Sequence, residues 1–302
     1  ARNEKASIRF DIAESEDYEC EELEFDPAEQ FEGPLPVLRR PKFLAIIASN
    51  SLATMLARKS TGKVDGFIIE APTAGGHNAP PRGERRLNDQ GEPLYGERDE
   101  VDLDKIGKLG LPFWLAGGAG RQGRLQEAID AGATGIQVGT LFASCDEAGT
   151  AESLKRRVIQ QSLRGHVDIK TDGRASPTGF PFKVVELPQS ISEQKTYEQR
   201  TRVCDLGYLR TAYRTEKGGI NYRCPAEPVE TYVKKGGREE DTVGRKCLCN
   251  ALMSNLDRGQ LRNGGAPEKP LLTSGDDLEI LGSFLNGRTS YTAADVLDYL
   301  LS

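Results

Sequence analysis

Between Phe43 and Leu163 short apolar runs alternate with segments of helical period, and this rhythm narrows the fold more than any other property of the chain. Apolar runs each followed by one helix build parallel strands covered on both faces, because a helix-length crossover is needed to return the chain to the same end of a sheet. Residues 43–48, 64–70, 112–116 and 135–140 read as the four strands. Leu52, Met55 and Leu56 share a helical face at i, i+3 and i+4, and a helix resumes over 102–109. Leu125, Ala128 and Ile129 mark a third helix, closed by Gly132, and Leu154, Val158 and Ile159 a fourth. Ahead of this region residues 6–12 form a strand, and the acidic run 14–32 is expected to be a solvated loop.

A closed (β/α)8 barrel needs eight such units in about 250 residues. The sequence shows four. The expected fold is therefore α/β: the C-terminal part of a (β/α)8 TIM barrel, plus a cysteine-bearing C-terminal appendage. Its divisions are expected at 1–34 (acidic strand and loop insertion), 35–190 (C-terminal half of the barrel) and 191–302 (appendage). An N-terminal barrel half, in the same precursor or in a partner chain, is expected to complete it.

Composition excludes several partners. The 302 residues carry a net charge of -6, so neither nucleic acid nor an anionic membrane is expected to bind. No apolar run approaches the roughly 20 residues that span a bilayer, and a cytoplasmic location is expected. Six cysteines are too few for a disulfide scaffold.

The chemistry concentrates where apolar runs end. The run 64–70 leads into Ala74-Gly75-Gly76-His77, which places one of only two histidines at a strand end. Leu115-Ala116-Gly117-Gly118-Ala119-Gly120 and Gln137-Val138-Gly139-Thr140 repeat the pattern on the next two strands. Glycines there either make tight turns or let backbone N–H groups approach a phosphate, and two such loops on consecutive strands favour the phosphate.

Together the Ala74-Gly75-Gly76-His77 loop, the Ala116-Gly117-Gly118 loop and the Gln137-Val138-Gly139-Thr140 strand end resemble the nitronate monooxygenase family of FMN-dependent TIM barrels, over about residues 40–150. The resemblance implies that Gly118, Gly139 and Thr140 hold the FMN phosphate, that Gln137 and Gly75 lie along the cofactor, and that Gly76, Gly117 and Val138 complete the contact. His77 takes the catalytic position. Glu70 stands where many members have glutamine, and a carboxylate donates no hydrogen bond unless protonated. The implied reaction is oxidative denitrification: His77 removes the α-proton of a nitroalkane, and the nitronate reacts with O2 through FMN to a carbonyl compound and nitrite. Flavin-dependent enoyl reductases of fatty-acid and polyketide synthesis share the Gly-Gly-His pattern. Ala175-Ser176-Pro177-Thr178-Gly179-Phe180-Pro181-Phe182-Lys183-Val184 looks like a segment of their polyunsaturated-fatty-acid and trans-acyltransferase members. NAD(P)H-linked reduction of an enoyl substrate is the rival chemistry.

Three further expectations concern the remaining segments. Arg82, in the long loop after His77, is a candidate contact for an anionic substrate. Cys204, Cys224, Cys247 and Cys249 satisfy the count for a tetrahedral zinc or an iron–sulfur site, which would make the appendage a metal-stabilised interaction module in a non-catalytic fragment. Val296, Leu297, Leu300 and Leu301 form one helical face, to dock on the body of the protein or on a second copy in a homo-oligomer.

Overall fold

A computed structural model describes residues 3–13, 20–262 and 264–302. Two compact units share the chain: Ala1–Lys42 with Arg202–Val243, and Phe43–Thr201 with Gly244–Ser302. In chain order β1 (Ala6–Asp11) and β2 (Cys20–Phe25) come first. Then β3 (Leu44–Ile47), α1 (Asn50–Lys59), β4 (Gly66–Glu70), α2 (Leu103–Gly107), β5 (Phe113–Ala116), α3 (Arg124–Asp130), β6 (Gly135–Gln137) and α4 (Glu152–Leu163) alternate. They are followed by β7 (Ile169–Asp172), β8 (Phe182–Val185), α5 (Gln194–Gln199), β9 (Thr211–Arg214), β10 (Ile220–Arg223) and α6 (Val229–Lys234). Helices α7 (Leu248–Ser254), α8 (Leu281–Leu285) and α9 (Ala293–Leu301) come last.

The second unit is built on a parallel sheet in the order β3-β4-β5-β6. Its register aligns Ile47, Ile69, Leu115 and Ile136 across all four strands, and the next row holds Glu70, Ala116 and Gln137. Three strands thus end level, and the loops after them start from one edge. The βα rhythm accounts for this sheet, but covering on both faces is complete only for β4, whose Phe67 is fully buried. At the edge of the sheet, β3 alternates instead: Ala45 and Ile47 face the core while Ile46 is 57% exposed.

Helix α1 starts at an N-cap where Ser49 Oγ accepts from the Leu52 N–H at 3.1 Å. Ala53 and Leu56, not Leu52 and Met55, form its buried face, so the expected stripe is rotated; Met55 is 50% exposed. A second core joins α4, α8 and α9 through Val158, Ile159, Leu281, Leu285, Val296 and Leu300. The expected four-residue face on α9 splits here. Val296 and Leu300, one turn apart, are buried, whereas Leu297 and Leu301 sit about 100° further round and are exposed.

In the first unit β1 pairs antiparallel with β2, and β9 with β10. The acidic run therefore contains a strand where a solvated loop is expected; its residues 14–19 lie outside the described ones. Cross-strand charge pairing explains the strand: Lys5 Nζ lies 2.7 Å from Glu24, and Arg9 stands directly opposite Glu22.

Among the described residues no group of three or more His, Cys, Asp or Glu side chains is placed to hold a metal ion, so the metal site expected of Cys204, Cys224, Cys247 and Cys249 is not assembled. Cys247 instead occupies the N-cap position of α7 and accepts a hydrogen bond from Asn250 Nδ2 at 3.3 Å, while Cys204 and Cys224 are free thiols joined by a hydrogen bond. No described helix is long and apolar enough to cross a membrane.

Candidate functional site

Where β4, β5 and β6 end level, their loops surround a cavity of about 300 Å³. Its wall contains Glu70, Gly75, Gly76, Gly117, Gly118, Gln137, Val138, Gly139 and Thr140. Every residue singled out as a cofactor contact is thus brought together. A further part of the wall was not anticipated: the segment Thr273-Ser274-Gly275 with Asp277. That segment is held by Gly76 N–H donating to Thr273 Oγ1 (2.8 Å), Gly275 N–H donating to Thr140 Oγ1 (3.1 Å) and Gly120 N–H donating to Asp277 Oδ2 (2.7 Å). Its sequence signal is a small, polar and glycine-containing stretch directly after Leu271-Leu272, the same pattern that marks the other strand-end loops.

Geometry requires glycine at several of these positions. Gly117 has φ +84°, and a Cβ there would also sit 2.9 Å from Ala74 N. A Cβ on Gly75 would meet the Ser274 backbone at 2.7 Å. Gly139 differs, since a Cβ added to it has nothing within 4 Å and would project into open space. Gly76, with φ +81°, makes a turn that favours glycine, whereas the missing side chain at Gly139 keeps the cavity open.

A second, larger cavity of about 780 Å³ shares Glu70, Thr73, Ala116 and Gly117 with the first. Tyr95, Thr171, Lys183 and Asp276 also line it. Lys183 is buried and its Nζ lies 2.6 Å from Asp276 Oδ1, so its charge is neutralised at contact distance. Burial, and then the nearby Asp99 carboxylate, push the Tyr95 hydroxyl up to about 12, which keeps it a donor; it bonds Ala79 O at 3.0 Å. Burial also raises the Glu70 carboxyl above the usual carboxylate range.

His77 follows Gly76 directly, yet its ring is not part of either cavity wall. It packs edge-on against Phe182, with ring centroids 4.9 Å apart, and its Nε2 is hydrogen-bonded to Ser176 Oγ at 2.6 Å. Ser176 is fully buried and bonds in turn to Thr178 Oγ1 at 2.8 Å. Partial burial lowers the His77 pKa, so the ring is neutral at pH 7 and able to accept a proton. The Ser176 contact lies within the segment 175–184 that the sequence marks out without assigning it a role.

Arg82 lines only a small recess beside Ala48 and Asp99. Its guanidinium donates to the carbonyls of Ala48 and Arg98, and its N–H donates to Asp99 Oδ1 at 2.8 Å. Those donors brace the loop rather than reach toward the larger cavity.

No curated protein matches the chain. Among solved structures, FabK from Thermotoga maritima is similar at 17% identity and a TM-score of 0.46, covering 86% of this chain and 60% of that one. Nitroalkane oxidase from Streptomyces ansochromogenes is similar at 18% identity and a TM-score of 0.42, covering 86% of this chain and 56% of that one. The chain thus spans less than two thirds of the length of either protein. The profile of the family described as nitronate monooxygenase matches residues 17–177, more than half of the sequence and all three glycine-bearing strand ends. On that match the chain belongs to the nitronate monooxygenase family.

Proposed function

We propose that the protein is an FMN-dependent oxidoreductase that oxidises alkyl nitronates, with the flavin phosphate in the 300 Å³ cavity and the substrate in the larger one. The observation that carries the reading is the convergence of three strand ends and the 273–277 segment on one glycine-lined space. The donor set fits a phosphate: no lysine or arginine lines the smaller cavity, so backbone N–H groups and the Thr140 hydroxyl would hold the anion. Thr140 Oγ1 already accepts from Gly275, which fixes the hydroxyl and leaves its proton to be donated. Asp277, which with Glu70 is one of the two acids in the wall, is turned to Gly120 N–H and to Arg121 Nε at 3.4 Å.

Bound FMN would supply the electron-accepting chemistry. The chain's own groups would handle position and protons. Glu70, placed where both cavities meet and with its carboxyl raised by burial, would need to be protonated to donate the hydrogen bond that glutamine offers at this position in many members of the family. Neutral His77 would take the α-proton of a neutral nitroalkane, with Ser176 fixing the ring through Nε2. The ring lines neither cavity itself: His77 follows Gly76 of the smaller one, and its bridge partner Phe182 precedes Lys183 of the larger one.

Reduction of an enoyl substrate is the second reading, and the size of the larger cavity, with Tyr95 and Lys183 as proton-bearing groups in its wall, favours it. Anaerobic mixing of the FMN-reconstituted protein with propyl nitronate and, separately, with NADPH decides between them. Bleaching of the flavin by the nitronate alone is expected. Bleaching by NADPH alone transfers the site to enoyl reduction, and failure of the chain to take up FMN removes both readings.

A further inference from the structure

In the first unit two cysteines are held together by a set of contacts that no step of the proposed reaction uses. Arg202 draws their two segments into register: Nη1 donates to Pro225 O at 3.3 Å, one residue after Cys224, and Nη2 donates to Thr242 O at 2.9 Å. The β9–β10 ladder ends with Arg223 opposite Thr211, so Cys224 and Arg210 occupy the next register step. Arg210 then reaches back over Gly207 and donates to Cys204 O. The Cys224 N–H is held by Glu227 Oε1 at 3.3 Å, and Glu227 by Lys235 at 2.8 Å. Within this frame the Cys224 thiol hydrogen-bonds the Cys204 sulfur, which also accepts from the Arg210 side chain.

The two sulfurs differ in access. Cys204 is partly exposed, whereas Cys224 is 5% exposed. A reagent from solution meets Cys204 first. The sulfur it meets is also the activated one: the hydrogen bond from Cys224, with that from Arg210, brings its pKa down to about 6 against the effect of burial. An accessible thiolate beside a buried thiol is the arrangement needed for an attacking and a resolving sulfur.

We propose that Cys204 and Cys224 form a thiol–disulfide exchange site for small soluble disulfides, with Cys204 attacking and Cys224 resolving. The Cys204 thiolate attacks one sulfur of the disulfide, the S–S bond breaks, and one thiolate leaves. Cys224 then gives up its proton and attacks the Cys204 sulfur of the mixed disulfide, releasing the second thiol. Two protein thiols are oxidised to one disulfide while one small disulfide is reduced to two thiols. Formation of the Cys204–Cys224 bond would lock the segment before β9 to the end of β10. The site is independent of flavin chemistry and stands or falls separately from it.

The test uses the whole 302-residue chain, reduced, and glutathione disulfide at pH 7. The wild type is expected to lose two hydrogens by intact mass, with peptide mapping joining Cys204 to Cys224. Cys224→Ser is expected to retain one glutathione on Cys204, and Cys204→Ser to form neither product. A stable glutathione adduct on the wild type, or a disulfide mapped to other cysteines, overturns the proposal. So does stoichiometric zinc in the purified protein that blocks both thiols. A measurement on the wild type alone keeps the proposal testable if the variants misfold. Alkylation of Cys204 by iodoacetamide at pH 6 is expected to run roughly tenfold faster than that of an unperturbed cysteine peptide, thiolate fraction outweighing reduced nucleophilicity. A rate equal to the peptide's overturns the assignment.

Discussion

His77 sits between a hydroxyl and an aromatic ring, and the two neighbours set its behaviour. Ser176 holds Nε2, Phe182 excludes water from one side, and partial burial lowers the pKa. If the ring is the base, nitroalkane turnover should rise with pH and level off at or below about 6.5, the ordinary histidine value. His77→Gln should lower turnover of a neutral nitroalkane by on the order of 10²–10⁴-fold while sparing a preformed nitronate, which has already lost the proton. Equal loss on both substrates would remove His77 from proton abstraction. The same shift bears on stability. The unfolded chain takes up the proton first as pH falls, so the stabilisation from neutral His77 is present above about pH 6.5 and is lost as pH drops through the folded value. The sequence made His77 visible because a histidine after two glycines is conspicuous. Ser176 was not visible as its partner, since the two are 99 positions apart and only the antiparallel bridge between His77 and Phe182 brings their segments together. Arg82 shows the opposite failure: a charged loop residue invites a ligand, but its donors are taken by Ala48 and Arg98 carbonyls.

Strand ends and their loops carry the cavity, and glycines there do two different jobs. A methyl group on Gly75 would press against the Ser274 backbone, so Gly75→Ala should lower stability by about 1–3 kcal/mol and weaken FMN binding with it. Gly139→Ala meets no protein atom and should leave the melting temperature unchanged while weakening FMN. Thermal unfolding and FMN titration of the two variants measure both quantities. Unaltered FMN affinity in Gly139→Ala would place the phosphate elsewhere. Strand positions were readable from the sequence because parallel strands are nearly continuous apolar runs. Helix faces were less so. In α1 the small Ala53 packs against the sheet and the larger Leu52 and Met55 turn outward, because close approach of helix to sheet favours the small side chain over the more hydrophobic one. The β1–β2 hairpin was masked by its own charge, since composition reports Glu21, Glu22 and Glu24 as solvated while pairing with Lys5 and Arg9 makes a strand of them.

The chain passes between its two units at residues 42–43, 201–202 and 243–244. Just before the second of these crossings in sequence, Arg200 belongs to a buried ion cluster of the second unit: Glu268 accepts from Arg200 Nε and Nη2 at 2.7 and 2.8 Å and also from Arg262. Burial alone would raise the Glu268 carboxyl, but Arg200 and Arg262 overcome it and hold the group below the usual range. Glu268→Gln would leave two guanidinium groups without their counter-charge and should destabilise the second unit by about 3–5 kcal/mol. In the wild type the same cluster should protect the fold above the ordinary glutamate value of about 4.3, its contribution falling as acid titrates Glu268. Urea unfolding of both forms across acid pH measures this, and a variant as stable as the wild type would reduce the cluster to decoration. None of this could be read from the sequence, where Arg200, Arg262 and Glu268 stand in three unremarkable polar stretches.

The segment 273–277 closes the smaller cavity across long distances in sequence, with Gly76 and Thr273 separated by 197 positions. During synthesis the strand-end loops leave the ribosome well before their last wall does. For that interval the parallel sheet can assemble through pairings much shorter in sequence than the 76–273 contact, while the amides of Gly76 and Gly120 still lack their partners in the 273–277 segment. If the cavity holds the flavin as proposed, its capture is a late event, coupled to docking of the 273–277 segment rather than to formation of the sheet. A nascent chain would be folded in its strands well before it is competent to hold a flavin.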